Sequence, residues 1–179
     1  IIRKGVYENT QYHIKETYKL KHIFAISTLQ ILKKALYLPP EKQRTEMESF
    51  YRTHAYLVEH TNAPVRRDLM DEIDWSDRLI GIKGTRGVGK TTFLLQYAKE
   101  KFGNDRSCLF INMNNFYFSG HSIVDFANEF QKRGGKVLLI DQVFKHPEWS
   151  KELRMCYDRF PNLKIVFTGS SVRRLKEEN

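Results

Sequence analysis

Residues 84–91 read Gly84-Thr85-Arg86-Gly87-Val88-Gly89-Lys90-Thr91, an unbroken G-x-x-x-x-G-K-[ST]. No other stretch limits the fold as strongly. Three glycines remove the side chains that would keep the main chain away from a bulky anion. The N–H groups of such a turn then converge as an anion nest. Before it lies a short apolar run, Leu79-Ile80-Gly81-Ile82, and after it a helical pattern from Lys90 to Phe102. A strand entering the turn and a helix leaving it put the positive end of the helix dipole at the turn. That is a site for a polyphosphate. The expected ligand-contacting residues are Gly84 to Thr91 together with Thr92. Lys90 is expected to reach the β- and γ-phosphates, and the Thr91 hydroxyl to ligate Mg²⁺.

Downstream of this loop, strand and helix patterns alternate. Strands are predicted at 109–111, 137–140 and 165–167. Helices are predicted at 122–133, opened by Ser122 as N-cap, and at 148–160. The strand segments are continuous aliphatic runs, as in parallel strands buried on both faces. Upstream the pattern is helical, over 22–38, 41–59 and 65–73, with breaks at Pro39-Pro40 and Asn62-Ala63-Pro64. The expected division is a helical N-terminal extension (1–46), a helical lead-in (47–78) and an α/β core (79–179).

A second chemical position follows from the third strand. Val137-Leu138-Leu139-Ile140-Asp141 ends an apolar strand in a carboxylate. In a parallel sheet this places Asp141 at the carboxyl edge, beside the phosphate loop, where it can hold Mg²⁺. The next residue is Gln142. An amide can orient water but cannot take a proton at neutral pH, so slow hydrolysis with preserved binding is expected. The fourth strand ends Thr168-Gly169-Ser170-Ser171, and Thr168 and Ser170 are the candidates to sense the γ-phosphate or position water. The expected catalytic set is Lys90, Asp141, Gln142 and Ser170; the expected metal ligands are Thr91 and Asp141.

The chain carries a formal charge of +9, and residues 1–46 hold nine Lys and Arg against four Glu. Such a balance leaves open contact with nucleic acid as well as plain solubility. Phe116-Tyr117-Phe118 leaves open base stacking or packing beneath the sheet. The six histidines show no metal spacing and read as surface or partly buried residues. Cys108 and Cys156 match no metal or redox spacing and suit a reduced, cytoplasmic setting. No run is apolar enough for a membrane span. No Asn-Lys-x-Asp segment is present to read guanine, which favours ATP over GTP.

Residues 81–92, 139–150 and 163–171 together resemble a bacterial AAA-type ATPase family, over roughly residues 47–179. The resemblance implies an α/β fold, a P-loop NTPase core with a mostly parallel sheet preceded by N-terminal helices. It implies ATP and Mg²⁺ at Gly84 to Thr91, Asp141 on the metal side, and a sensor region at Thr168 to Ser171. Gln142 stands where the family has glutamate, and residues 1–46 match nothing in it. Members of the family typically continue into a restriction-endonuclease-like domain. The chain opens on Ile1 and stops in a charged stretch at 173–179, which reads as a fragment truncated after the fourth strand. The strand at 79–83 is then expected at a sheet edge, with marginal stability. An arginine finger is expected beyond the last residue, and Arg173-Arg174 leave open a contact with a neighbouring subunit's phosphate. Three functions remain in view: an ATP-hydrolysing AAA-type core, a switch that binds ATP without turning it over, and a small-molecule kinase. A homo-oligomer also remains open.

Overall fold

The computed structural model describes residues 40–170, with side chains from residue 46. The helix predicted over 22–38, Ser171 and Arg173-Arg174 lie outside the described residues. The chain divides into two units, residues 1–45 and 46–179; the second carries the sheet.

Helix α1 spans Pro40–His60. Proline suits the first helical turn, where its missing N–H has no partner to lose. Met47, Phe50, Tyr51, His54 and Val58 recur at helical spacing and are buried. Helix α2 is a single turn, Leu69–Glu72, shorter than the 65–73 predicted. The residues before it run without regular structure because other bonds hold them. Lys99 Nζ donates to the Thr61 carbonyl at 2.9 Å, and Arg66 pairs with Asp71 and Glu100.

Strand β1 (Leu79–Gly84), helix α3 (Lys90–Lys101), strand β2 (Cys108–Asn112), helix α4 (Ile123–Lys132), strand β3 (Val137–Asp141), helix α5 (Trp149–Arg159) and strand β4 (Lys164–Ser170) follow in order. Short 3₁₀ turns occupy Phe116–Ser119 and Val143–Lys145. The Ser122 side chain accepts from the Asp125 N–H at 3.0 Å and caps α4 as predicted.

The four strands are all parallel, in the order β1-β4-β3-β2. Their side chains alternate between the two faces, as a period of two requires. Leu109, Ile111, Leu138 and Ile140 pack with α1, α4 and α5; Phe110, Leu139 and Val166 pack with α3. Truncating Leu138 or Leu139, both fully buried, to alanine would cost about 2–5 kcal/mol. Among the described residues β1 and β2 are the edge strands. The β2 edge is covered by α1: the buried His54 Nδ1 accepts the Phe110 N–H at 3.0 Å. A helix side chain thus takes the ladder bond that another strand would otherwise take.

Some positions differ from expectation. His54 and His146 are buried, at 4% and 8% exposure, and each has a polar neighbour in the interior. For His54 that neighbour is the β2 main chain; for His146 it is Glu152, at 3.0 Å from Nε2. Phe118 packs in the core and Tyr117 stacks edge-on against Phe50, but Phe116 is 88% exposed. Both cysteines are buried, and burial pushes their thiols up to about 12, so they are neutral packing residues. No helix of the described residues is long and apolar enough to cross a membrane.

Candidate functional site

Parallel strands end together. Gly84 pairs in register with Ser170, and Asn112 with Asp141. The four strand tips therefore deliver the loop, Asn112, Asp141 and Ser170 to one edge of the sheet.

The loop takes the form its glycines permit. Gly89 is the N-cap of α3 at φ 79°, and Gly87 lies at φ 85°. A residue with a side chain would be strained in this left-handed region by roughly 1–2 kcal/mol. The Lys90 ammonium folds back over its own loop, donating to the carbonyls of Gly84 at 2.8 Å and Thr85 at 2.7 Å. No acidic residue occupies the first turn of α3. The helix end is therefore cationic from its dipole, from Lys90 and from the exposed Arg86 together.

Facing the loop is a carboxylate locked in place. Asp141 is 1% exposed and accepts three side-chain hydrogen bonds. Thr91 Oγ1 donates to its Oδ2 at 2.8 Å, Asn112 Nδ2 to the same oxygen at 2.9 Å, and Thr168 Oγ1 to its Oδ1 at 2.6 Å. Burying a charge is costly unless donors of this kind surround it. Thr168 also accepts the Gln142 N–H at 3.0 Å. It is fully buried and turned toward Asp141, so it positions the carboxylate and the following peptide.

Gln142 is the one non-glycine residue with positive φ among the described residues, at φ 55° and ψ 45°. The chain leaves β3 in a left-handed conformation that glutamine adopts only under constraint. The Gln142–Thr168 bond and the buried Val143 supply that constraint. Strain of this sort gathers where a side chain must be aimed.

A cleft of about 740 Å³ lies between loop and strand tips. Arg86, Gly87, Gly89, Lys90, Thr91 and Thr92 line it from the loop side; Asp141, Gln142, Thr168 and Ser170 line it from the strand side. All four expected catalytic residues therefore meet in one place. Gly84, Thr85 and Val88 are not in the lining. Gly84 and Thr85 turn their carbonyls to Lys90. A Cβ on Gly84 would lie 3.2 Å from Val88 Cγ2, a tight contact within the loop itself. A neighbouring cavity of about 530 Å³ shares Lys145 but none of the loop residues.

Residues not singled out in the sequence also line or organise the cleft. Asn112 steadies Asp141 and also accepts the Asn114 N–H at 2.8 Å, and Asn114, Phe144 and Lys145 face the cleft. Asn112 carried a readable signal: it ends an apolar strand in a polar side chain, as Asp141 does.

The donor set suits a hard cation. The Thr91 hydroxyl and Asp141 carboxylate are adjacent oxygen groups, the ligand type that Mg²⁺ takes. Among the described residues no cluster of three His, Cys, Asp or Glu could hold a metal from protein groups alone. Residues 76–179, more than half of the chain, match the protein family described as AAA domain. A comparison with curated proteins finds no match.

Proposed function

The chain belongs to the AAA-domain family, and from that premise we propose that it binds ATP together with Mg²⁺ in the cleft between the phosphate loop and the strand tips. The Thr91–Asp141 hydrogen bond of 2.8 Å carries this reading, because it joins the first turn of α3 to the carboxylate that closes β3. The loop amides and Lys90 would take the phosphate oxygens, exchanging the ammonium's bonds to Gly84 and Thr85 for stronger bonds to anions. Thr91 and Asp141 would hold Mg²⁺, which when bound supplies neutralisation of the phosphate charge. Asn112 and Thr168 fix the Asp141 carboxylate, so it has no rotamer freedom to lose on binding.

Turnover is expected to be slow. Gln142 stands next to Asp141 at the cleft, and its amide can orient a water but cannot accept the water's proton. That residue also favours a second reading, a switch that responds to ATP occupancy without hydrolysing it. Single-turnover measurements on the wild type and Gln142→Glu separate the two. Measurable wild-type turnover that the variant accelerates supports slow hydrolysis. No turnover in the wild type, with tight binding, supports the switch.

The binding reading is tested by titrating ATP with and without Mg²⁺ against wild type and Lys90→Ala. Affinity that falls on removal of either Mg²⁺ or the Lys90 ammonium supports it. Equal affinity in all arms overturns it.

A further inference from the structure

The segment that precedes α2 carries two adjacent arginines with opposite surroundings. Arg66 is fully engaged, with its guanidinium bonded to Asp71 and its Nε to Glu100 at 3.2 Å. Arg67 is exposed, and among the described residues no carboxylate pairs with it. Its guanidinium instead lies against the phosphate loop. A Cβ built on Gly89 would meet Arg67 Nη2 at 2.5 Å and Cζ at 3.4 Å. Gly89 is the residue that caps α3 and lines the cleft.

This placement makes no electrostatic sense for a loop on its own. A guanidinium beside the N-terminus of a helix faces the positive end of its dipole. Lys90 and Arg86 stand on the same turn; the first turn of α3 holds no acid of its own, and the carboxylate that reaches it, Asp141, is bonded to Thr91, Asn112 and Thr168 and to none of these cations. Three cations and a helix end of like sign repel one another, and an anion relieves the repulsion. Nor is Arg67 there by looseness of its segment. Arg66 ties it to α3 through Glu100, Lys99 ties it at Thr61, and the fully buried Met70 anchors it from below. The segment is fastened to the phosphate-loop helix with the Arg67 guanidinium left over the loop.

We propose that Arg67 is a further contact for the phosphate chain of the bound nucleoside triphosphate, delivered from the segment ahead of β1 and closing over the loop at Gly89. The inference rests on the phosphate-loop reading above. Guanidinium recognises phosphate oxygens irrespective of the base, so the contact adds affinity for ATP, GTP and inorganic tripolyphosphate alike.

The test titrates these three ligands into the full chain, wild type, Arg67→Ala, Arg67→Lys and Lys90→Ala, and records the thermal midpoint of each ligand-free protein. A charge-assisted bond at an exposed rim predicts about a tenfold loss of affinity in Arg67→Ala for all three ligands, and a smaller loss in Arg67→Lys. The ligand-free midpoint of Arg67→Ala should stay level or rise, because a repelled charge has been removed. Wild-type affinity in Arg67→Ala alongside a large loss in Lys90→Ala overturns this inference and leaves the phosphate-loop reading standing. A loss confined to ATP places Arg67 at the base and overturns it as well. A lowered ligand-free midpoint makes Arg67 a structural residue and likewise overturns it. Unchanged binding in Lys90→Ala removes the phosphate-loop reading and this inference together.

Discussion

On one side of the cleft the loop of residues 84–91 presents main-chain N–H groups and the cations Arg86 and Lys90, with its single lysine bonded only to carbonyls of its own turn. On the other side, the tips of β2, β3 and β4 hold their polar groups in side chains, and Asp141 is buried under three donors from three different elements. The loop is a local object, a short turn between a strand and a helix, whose cations have no carboxylate partner among the described residues. The strand tips are a long-range object, whose charge is satisfied in advance. On the proposed reading, the first side supplies affinity and the second alignment.

That contrast can be broken most severely at Lys90. If the loop side governs affinity, Lys90→Ala should weaken ATP binding by roughly 100-fold or more, the value of losing bonds from a charged donor. Calorimetric titration measures it, and a loss under about tenfold would move the seat of affinity to the strand tips. Next in size is Gln142→Glu. A carboxylate beside Asp141 should raise single-turnover hydrolysis by about 10²-fold, the low end for general-base assistance, with ATP affinity changing little. A large change in affinity without one in rate would reverse the roles of the two sides.

Thr168→Val sharpens the alignment side. The substitution keeps the shape, strips a donor from Asp141 and leaves the Gln142 N–H without its acceptor. Stability should fall by about 2–3 kcal/mol in chemical denaturation. Mg²⁺-dependent binding should weaken as well. An unperturbed Mg²⁺ dependence would show that Asp141 needs no such positioning.

The smallest expected effect lies outside the cleft, at His54. Burial lowers the pKa of this histidine from its ordinary 6.5. Its Nδ1 must also stay unprotonated to accept the Phe110 N–H. Above about pH 6.5 the residue is neutral folded and unfolded, so its stabilising bond is fully present. As pH falls below that value, the unfolded chain takes a proton that the folded chain resists. Stability is then lost progressively down through the lowered folded pKa. Comparing denaturation of wild type and His54→Asn from about pH 7.5 down to about pH 5 isolates this share. Parallel curves would mean that α1 holds the β2 edge without help from the histidine.

Much of this protein is legible without coordinates. The four strands and the helices after the loop stand at or near their expected positions, because aliphatic runs, glycine breaks and the Ser122 cap act over a few residues. Gly84 to Thr91 form a strand-to-helix turn for the same reason, and Asp141 reaches the loop because parallel strands share one carboxyl edge. The helix just ahead of β1 is shorter than its pattern predicts, since Pro64 and the bonds from Arg66 and Lys99 hold residues 61–68 away from helical form.

What the chain determined by itself was therefore everything whose cause is short-ranged: backbone freedom at glycine, alternation along a strand, and the charge placed at a helix end. Tertiary structure alone decided that Asn112 and Thr168 grip Asp141, that Arg67 rests on Gly89, and that His54 covers an edge strand. Each of these joins residues 22 to 56 positions apart. Such bonds exist only once the sheet has set its order and register, and no local pattern of residues encodes that register.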